Sequence, residues 1–249
     1  MPEASRTANA LRPVNLDKLD LSKSLTRRQY EIQLAREQIR VNDCGLACLK
    51  REVPVLCVIE GSDAAGKGGA INRITYPLDP RCFSVSSFAA PHGEEKTHHY
   101  LWRFWRNLPR AGHLTIFDRS YYGRVLVERV EKFATRAEWA RAYQEINEFE
   151  AQQVAFGMVI VKFWLQISRK EQWRRFKRRE TDPFRSYKLT EEDFRNRTRW
   201  NDYQAAAEEM FLRTSTPAAK WNVVEAEDKY FARVKVLRTL ADTIEKHVS

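Results

Sequence analysis

Between Val55 and Arg73 the chain reads VLCVIEGSDAAGKGGAINR, a short apolar run that breaks directly into glycine and then resumes as a helix-forming stretch. Such a run suits a strand covered on both faces, as in a parallel sheet. The GxxxxGK spacing from Gly61 to Lys67 sets a glycine-rich turn between that strand and the next helix. In this motif backbone N–H groups wrap an oligophosphate, the helix start adds partial positive charge, and the lysine reaches the outer phosphates. Gly61, Ala64, Ala65, Gly66, Lys67, Gly68 and Gly69 are therefore expected to form a phosphate cradle, with Arg73 further along the helix.

Gly68 stands where the usual motif has a Ser or Thr hydroxyl for Mg²⁺. Asp63, inside the loop, would repel bare phosphate unless a divalent cation lay between them. A second acid follows an apolar run in LTIFD, Leu114 to Asp118, where the carboxyl edge of a sheet would present it to the same ion. Asp63 and Asp118 are thus the candidate metal ligands, for Mg²⁺ or Mn²⁺ in its place. Arg119 comes next and suits a phosphoryl oxygen through its planar fork. Arg124 is a further phosphate candidate, balanced against a structural ion pair.

The rest alternates strand-like and helix-like segments. Strands are expected at 55–60, 84–88, 114–118, 159–167 and 222–226. Helices are expected at 26–52, 94–107, 121–131, 136–156, from Lys170, over 191–213 and from Tyr230. This alternation predicts an α/β fold, three layers with a mostly parallel sheet and helices on both faces. Residues 1–25 lack periodicity and read as a surface arm, and 26–249 as one domain with a helical lid over about 169–213. Cys44, Cys48, Cys57 and Cys82 show no metal-site spacing, and buried packing in a reduced cytoplasm fits them. No apolar run is long enough for a membrane span, so no membrane partner is expected.

Lys and Arg number 43 against 33 Asp and Glu, a formal +10, which favours an anionic partner. The excess is concentrated: Arg169 to Arg199 holds twelve basic against six acidic residues. Seven of the eleven residues from Arg169 to Arg179 are Lys or Arg, and such crowding is costly unless an anion is bound. Arg175 and Arg179, one helical turn apart, with Arg178 beside them, are expected to contact it. Lys188 is a further phosphate candidate.

With these segments read, the chain resembles the polyphosphate kinase 2 family over about residues 30 to 247. The likeness rests on Glu60–Arg73, His99–Pro109, Ile116–Val130, Glu171–Pro183 and Glu227–Leu240. It implies a thymidylate-kinase-like P-loop fold, Mg²⁺ and a basic channel for inorganic polyphosphate, whose terminal phosphoryl passes to a nucleoside mono- or diphosphate. The resemblance also assigns Asp63, Lys67, Asp118, Arg119, Arg175 and Arg179 to metal or phosphate handling. Gly123 in SYYGRVLVERV looks like the AMP-phosphorylating subgroup, against ADP or GDP acceptors. A homo-oligomer is expected. An ATP-dependent nucleotide kinase would share the loop and strand acid, yet a short donor does not need so extended a basic surface. A nucleic-acid-binding P-loop protein is disfavoured, because zinc-finger, RNP-type and zipper patterns are absent from the sequence.

Overall fold

A computed structural model of the chain describes residues 14–184 and 186–248. Helix α1 (Arg27–Arg51) starts at a reciprocal cap, in which the Gln29 N–H donates to Thr26 Oγ1 and the Thr26 N–H to Gln29 Oε1. It ends at Glu52, whose left-handed backbone turns the chain before Pro54. The apolar run then forms β1 (Val55–Gly61), followed by α2 (Lys67–Thr75) and β2 (Phe83–Ser87). Beyond a single turn, α3 (Trp102–Trp105), come β3 (Leu114–Asp118), the short α4 (Val127–Val130), α5 (Arg136–Ala155) and β4 (Val159–Gln166). The chain closes with α6 (Arg169–Glu180), α7 (Glu191–Thr198), α8 (Trp200–Thr214), β5 (Trp221–Glu225) and α9 (Lys229–Val248).

The five strands pair entirely in parallel, in the order β2-β3-β1-β4-β5. From β1 the chain crosses to the β2 edge and returns to β3; from β3 it crosses β1 to reach β4. Strand order reverses beside β1, so the loops after β1 and β3 diverge at the carboxyl edge and leave a crevice there. Alternation along β1 divides the core. Val55, Cys57 and Ile59 face α1, α2 and α9, while Leu56 and Val58 face α5 and α8. All five are fully buried, worth about 1.5–3 kcal/mol for each large side chain. The four cysteines are buried and unpaired, and burial pushes the Cys48 thiol up to about 11, as structural packing requires.

Three expected helices are broken. The stretch 94–107 forms a 3₁₀ turn at Gly93–Lys96 and then α3, because the Thr97 hydroxyl bonds back to the Glu94 carbonyl. The stretch 121–131 begins as a 3₁₀ turn, Tyr121–Arg124, capped by the Ser120 hydroxyl, and both Tyr121 and Tyr122 aim their hydroxyls at Glu150. The stretch 191–213 breaks at Arg199, where α7 turns towards the β1 loop and α8 into the core. The arm is anchored where described, with Leu16 buried and Lys23 paired to Glu225; its residues 1–13 lie outside the described residues. Among the described residues no helix is long and apolar enough to cross a membrane.

Lys162, fully buried in β4, donates to Glu150 Oε2 (2.7 Å), the Tyr122 hydroxyl (2.8 Å) and the Thr214 carbonyl (2.8 Å). Glu150 also accepts from both tyrosine hydroxyls, so this charge pair is fully satisfied and fixes the turn that follows Ser120. Lys162→Met would strand the carboxylate in the core and should cost about 3–5 kcal/mol in urea denaturation. Adding Glu150→Gln should recover part of that loss.

Candidate active site

The site is built on the carboxyl ends of β1 and β3. Gly61 has φ +146°, and a Cβ there would lie 2.4 Å from the Leu165 carbonyl oxygen, so only glycine lets β1 bend away at this point. The loop runs on through Ala64 at φ 60° and Gly66 at φ 111° into α2. Lys67, the first residue of that helix, folds back so that its ammonium donates to the carbonyls of Gly61 (2.8 Å) and Ser62 (3.3 Å). At the end of β3, Arg119 takes a left-handed backbone, φ 66°, and its N–H donates to the Ile59 carbonyl, tying the two strand ends together.

A cavity of about 820 Å³ opens over this edge. Its floor is the loop from Asp63 to Gly69, and Asp118 and Arg119 close one side. Arg73, Arg178 and Arg179 line it, and so do Lys229 and Arg233 of α9, which the sequence reading did not single out. The Arg233 guanidinium passes beside Gly69, 3.4 Å from where a Cβ would stand. The cations thus come from four separate segments, α2, the end of β3, α6 and α9, and their common direction is set by the fold.

Arg175 departs from expectation. It is 4% exposed, and all five of its N–H groups are taken. Nε donates to Glu171 (2.6 Å), Nη1 to the carbonyls of Ala64 and Ala65 (2.9 and 2.8 Å), and Nη2 to those of Ala226 and Glu227 (2.8 and 2.9 Å). With no donor left for an anion it is a positioning residue, which pins the loop to α6 and to the β5–α9 connection. Arg124 also stands apart: it pairs with Glu128 at 3.1 Å, lies over the Tyr100 ring and lines neither cavity. The side chain of Lys188 lies outside the described residues.

On the other side of Lys67 lies a smaller cavity of about 110 Å³. Leu126, Val127, Trp164, Trp200 and Tyr203 give it apolar and aromatic walls, and Gly123 borders it. Asp63, Lys67, Arg119, Glu192 and Asn196 line both spaces, so the two meet at the loop. Asp63 Oδ2 accepts from Asn196 (3.0 Å), and its carbonyl from Gln172 (3.2 Å). Asp63 and Asp118 border the larger cavity together, and among the described residues no cluster of three or more His, Cys, Asp or Glu forms a metal cage. Two hard carboxylate oxygens beside a phosphate cradle fit Mg²⁺, which keeps water and phosphate as its other ligands.

The residue missed at the strand end is Glu60. It is buried beneath the smaller cavity, accepts from the Ser120 hydroxyl at 2.8 Å, and burial pushes its carboxyl up to about 7 despite that bond and the nearby Lys67 and Arg119.

The polyphosphate kinase 2 family model matches residues 24–249. The chain belongs to that family. It is 54% identical over 232 residues to a polyphosphate:AMP phosphotransferase of Pseudomonas aeruginosa, covering 92% of this chain and 46% of that protein. It is 38% identical to an ADP-polyphosphate phosphotransferase of the same organism, covering 91% and 77%. The crystal structure of polyphosphate kinase 2 from Arthrobacter aurescens TC1 superposes with a TM-score of 0.90 at 33% identity, covering 94% and 86%. The chain spans about half the length of the AMP-directed relative.

A neutral-favouring Glu60 predicts a pH signature. The folded state holds this proton to about pH 7, whereas an unfolded glutamate releases it near 4.5. Wild-type stability should therefore fall relative to Glu60→Gln as pH rises from 4.5 to 7, then run parallel above it. Melting temperatures of both proteins across that range provide the check.

Proposed function

We propose that this chain moves the terminal phosphoryl group of inorganic polyphosphate to AMP, giving ADP and a polymer shortened by one unit. The observation that carries this reading is the pairing of two unlike cavities at one lysine. The larger runs from the glycine loop past Arg73, Arg178, Arg179 and Arg233, a length of fixed positive charge suited to an extended polyanion. The smaller, walled by Trp164, Trp200 and Tyr203, suits a nucleoside whose phosphate points at Lys67 and Arg119. The similarity to a polyphosphate:AMP phosphotransferase supports the same donor and acceptor.

In this mechanism an acceptor phosphate oxygen attacks the terminal phosphorus of the polymer in line, and the bond from that phosphorus to the bridging oxygen breaks. The polymer leaves with the electron pair. The acceptor is already an anion, so no protein base removes a proton. The chain's contribution is alignment and neutralisation, with Lys67 and Arg119 at the meeting point and the channel arginines along the polymer. Asp63 and Asp118 would hold Mg²⁺, which supplies positive charge to the phosphate oxygens at the point of transfer. Arg175 keeps the loop in its phosphate-ready shape. Gly123, beside the smaller cavity, leaves that wall free of a side chain and accords with a monophosphate acceptor.

Purified protein given AMP, GMP, ADP or GDP with long-chain polyphosphate and Mg²⁺ should convert AMP best. ATP in place of polyphosphate should support little transfer; a preference for ATP would make the protein an ordinary nucleotide kinase. Lys67→Met should lower turnover at least about 100-fold with the melting temperature kept. Asp63→Asn and Asp118→Asn should each raise the Mg²⁺ concentration needed for half-maximal rate; unaltered metal dependence in both would refute the two-carboxylate site.

A further inference from the structure

Asp63 stands where the two cavities meet, on a loop, and its carboxylate is held from another part of the chain. The side-chain amide of Asn196, in α7, donates to Asp63 Oδ2 at 3.0 Å. Among the described residues nothing donates to Oδ1. Asn196 is fixed in turn by Tyr203 of α8, whose hydroxyl donates to Asn196 Oδ1 at 3.1 Å and lies 3.3 Å from Glu131 Oε1. One hydroxyl proton serves one acceptor at a time. The buried Glu131 carboxylate already accepts from Arg195 Nε at 3.0 Å, so the tyrosine proton is left for the amide. Burial pushes the Tyr203 phenol up, which keeps it a donor. Each end of the amide therefore meets its opposite, a carboxylate at the amino end and a hydroxyl proton at the carbonyl end. Turned over, it would set one oxygen against another at Asp63.

We propose that Asn196, locked by Tyr203, is a positioning residue for the divalent cation: it ties down Asp63 Oδ2 and so presents Oδ1, the oxygen left free, to the metal. The inference rests on the reading of Asp63 and Asp118 as metal ligands. An unheld carboxylate on a loop samples several rotamers, and freezing one of them on binding an ion lowers affinity. Partners that orient a metal-binding side chain typically change metal affinity about 10–100-fold when removed.

The bond to Asp63 is not what keeps α7 in place. That helix has a reciprocal cap between Thr190 and Asp193, an ion pair from Arg195 to Glu131, and bonds from Arg197 to the Arg169 carbonyl and to Gln172. Losing the amide would free the Asp63 carboxylate while α7 stays docked. Tyr203 makes no hydrogen bond to Asp63 among the described residues and reaches it through Asn196. It also walls the smaller cavity, so an acceptor there lies against the group that sets the metal-binding carboxylate.

Mn²⁺ binding to the purified chain, followed by electron paramagnetic resonance without nucleotide or polyphosphate, tests the proposal. Asn196→Leu, which keeps the volume and removes the amide, should raise the Mn²⁺ dissociation constant about 10–100-fold with the melting temperature kept. Tyr203→Phe, which removes one oxygen atom, should raise it at least about threefold, and adding it to Asn196→Leu should change nothing further, because both act through one bond. Either single variant at wild-type affinity, or a double variant whose two effects add, would overturn the proposal where Asp63→Asn still binds weakly. Wild type without measurable Mn²⁺ binding, or Asp63→Asn at wild-type affinity, would instead overturn the two-carboxylate reading, and this inference with it. Tyr203→Phe leaves the ring in its packing, so it decides the matter even where Asn196→Leu folds poorly.

Discussion

The guanidinium of Arg175 holds the site together. A glycine-rich loop has little internal structure of its own, and its carbonyls need donors from elsewhere in the fold. Arg175 supplies those carbonyls with donors, two to the loop and two to the β5–α9 connection, while Glu171 offsets its charge. Hydrogen bonds to a charged donor contribute about 1.5–3 kcal/mol each, enough to hold a loop of alanines and glycines in one shape. This one side chain of α6 also holds the segment that leads into α9, and so ties the two helices together.

Strand alternation explains why there are two cavities with different chemistry. At the carboxyl edge β1 sends Glu60 to the α5 and α8 side, in register with Trp164 of β4, and Gln166 follows on the same face. That side becomes an aromatic cavity with a buried acid at its base. The loop that follows borders the larger cavity together with α9 and the end of α6, and that side becomes the cationic channel. Lys67 stands at the junction of the two environments and lines both, with Asp63, Arg119, Glu192 and Asn196.

Much of this was legible in the sequence, and the misses have physical reasons. The strand–loop–helix unit and Asp118 are local patterns, so reading along the chain finds them. Arg233 and Lys229 reach the channel only because β5 delivers α9 beside α2, a juxtaposition that no short window contains. Arg175 was legible as a cation near phosphate chemistry, but charge patterning does not distinguish a guanidinium that meets phosphate from one that meets loop carbonyls. Only its burial does. Glu60 was hidden by its ordinary place as the last polar residue of a strand; its neighbours come from β3 and β4. The helix at 191–213 broke because Asn196 and Phe211 belong to different surroundings, and one straight helix could not serve both.

Backbone strain at the site points the same way. Ala64 and Arg119 hold left-handed conformations that cost a non-glycine residue about 1 kcal/mol or more, and both sit where the two strand ends deliver their acids. Each is held by the fold: Ala64 through its carbonyl on Arg175, Arg119 through its N–H on Ile59. Lys67 meanwhile rests on the Gly61 and Ser62 carbonyls, so its charge is satisfied within the loop. An arriving phosphate must then displace only short hydrogen bonds of one side chain, with the backbone already in place. In the proposed reaction the reorganisation would be confined to a lysine ammonium, and a crowded cationic site could stay stable and still exchange an anion.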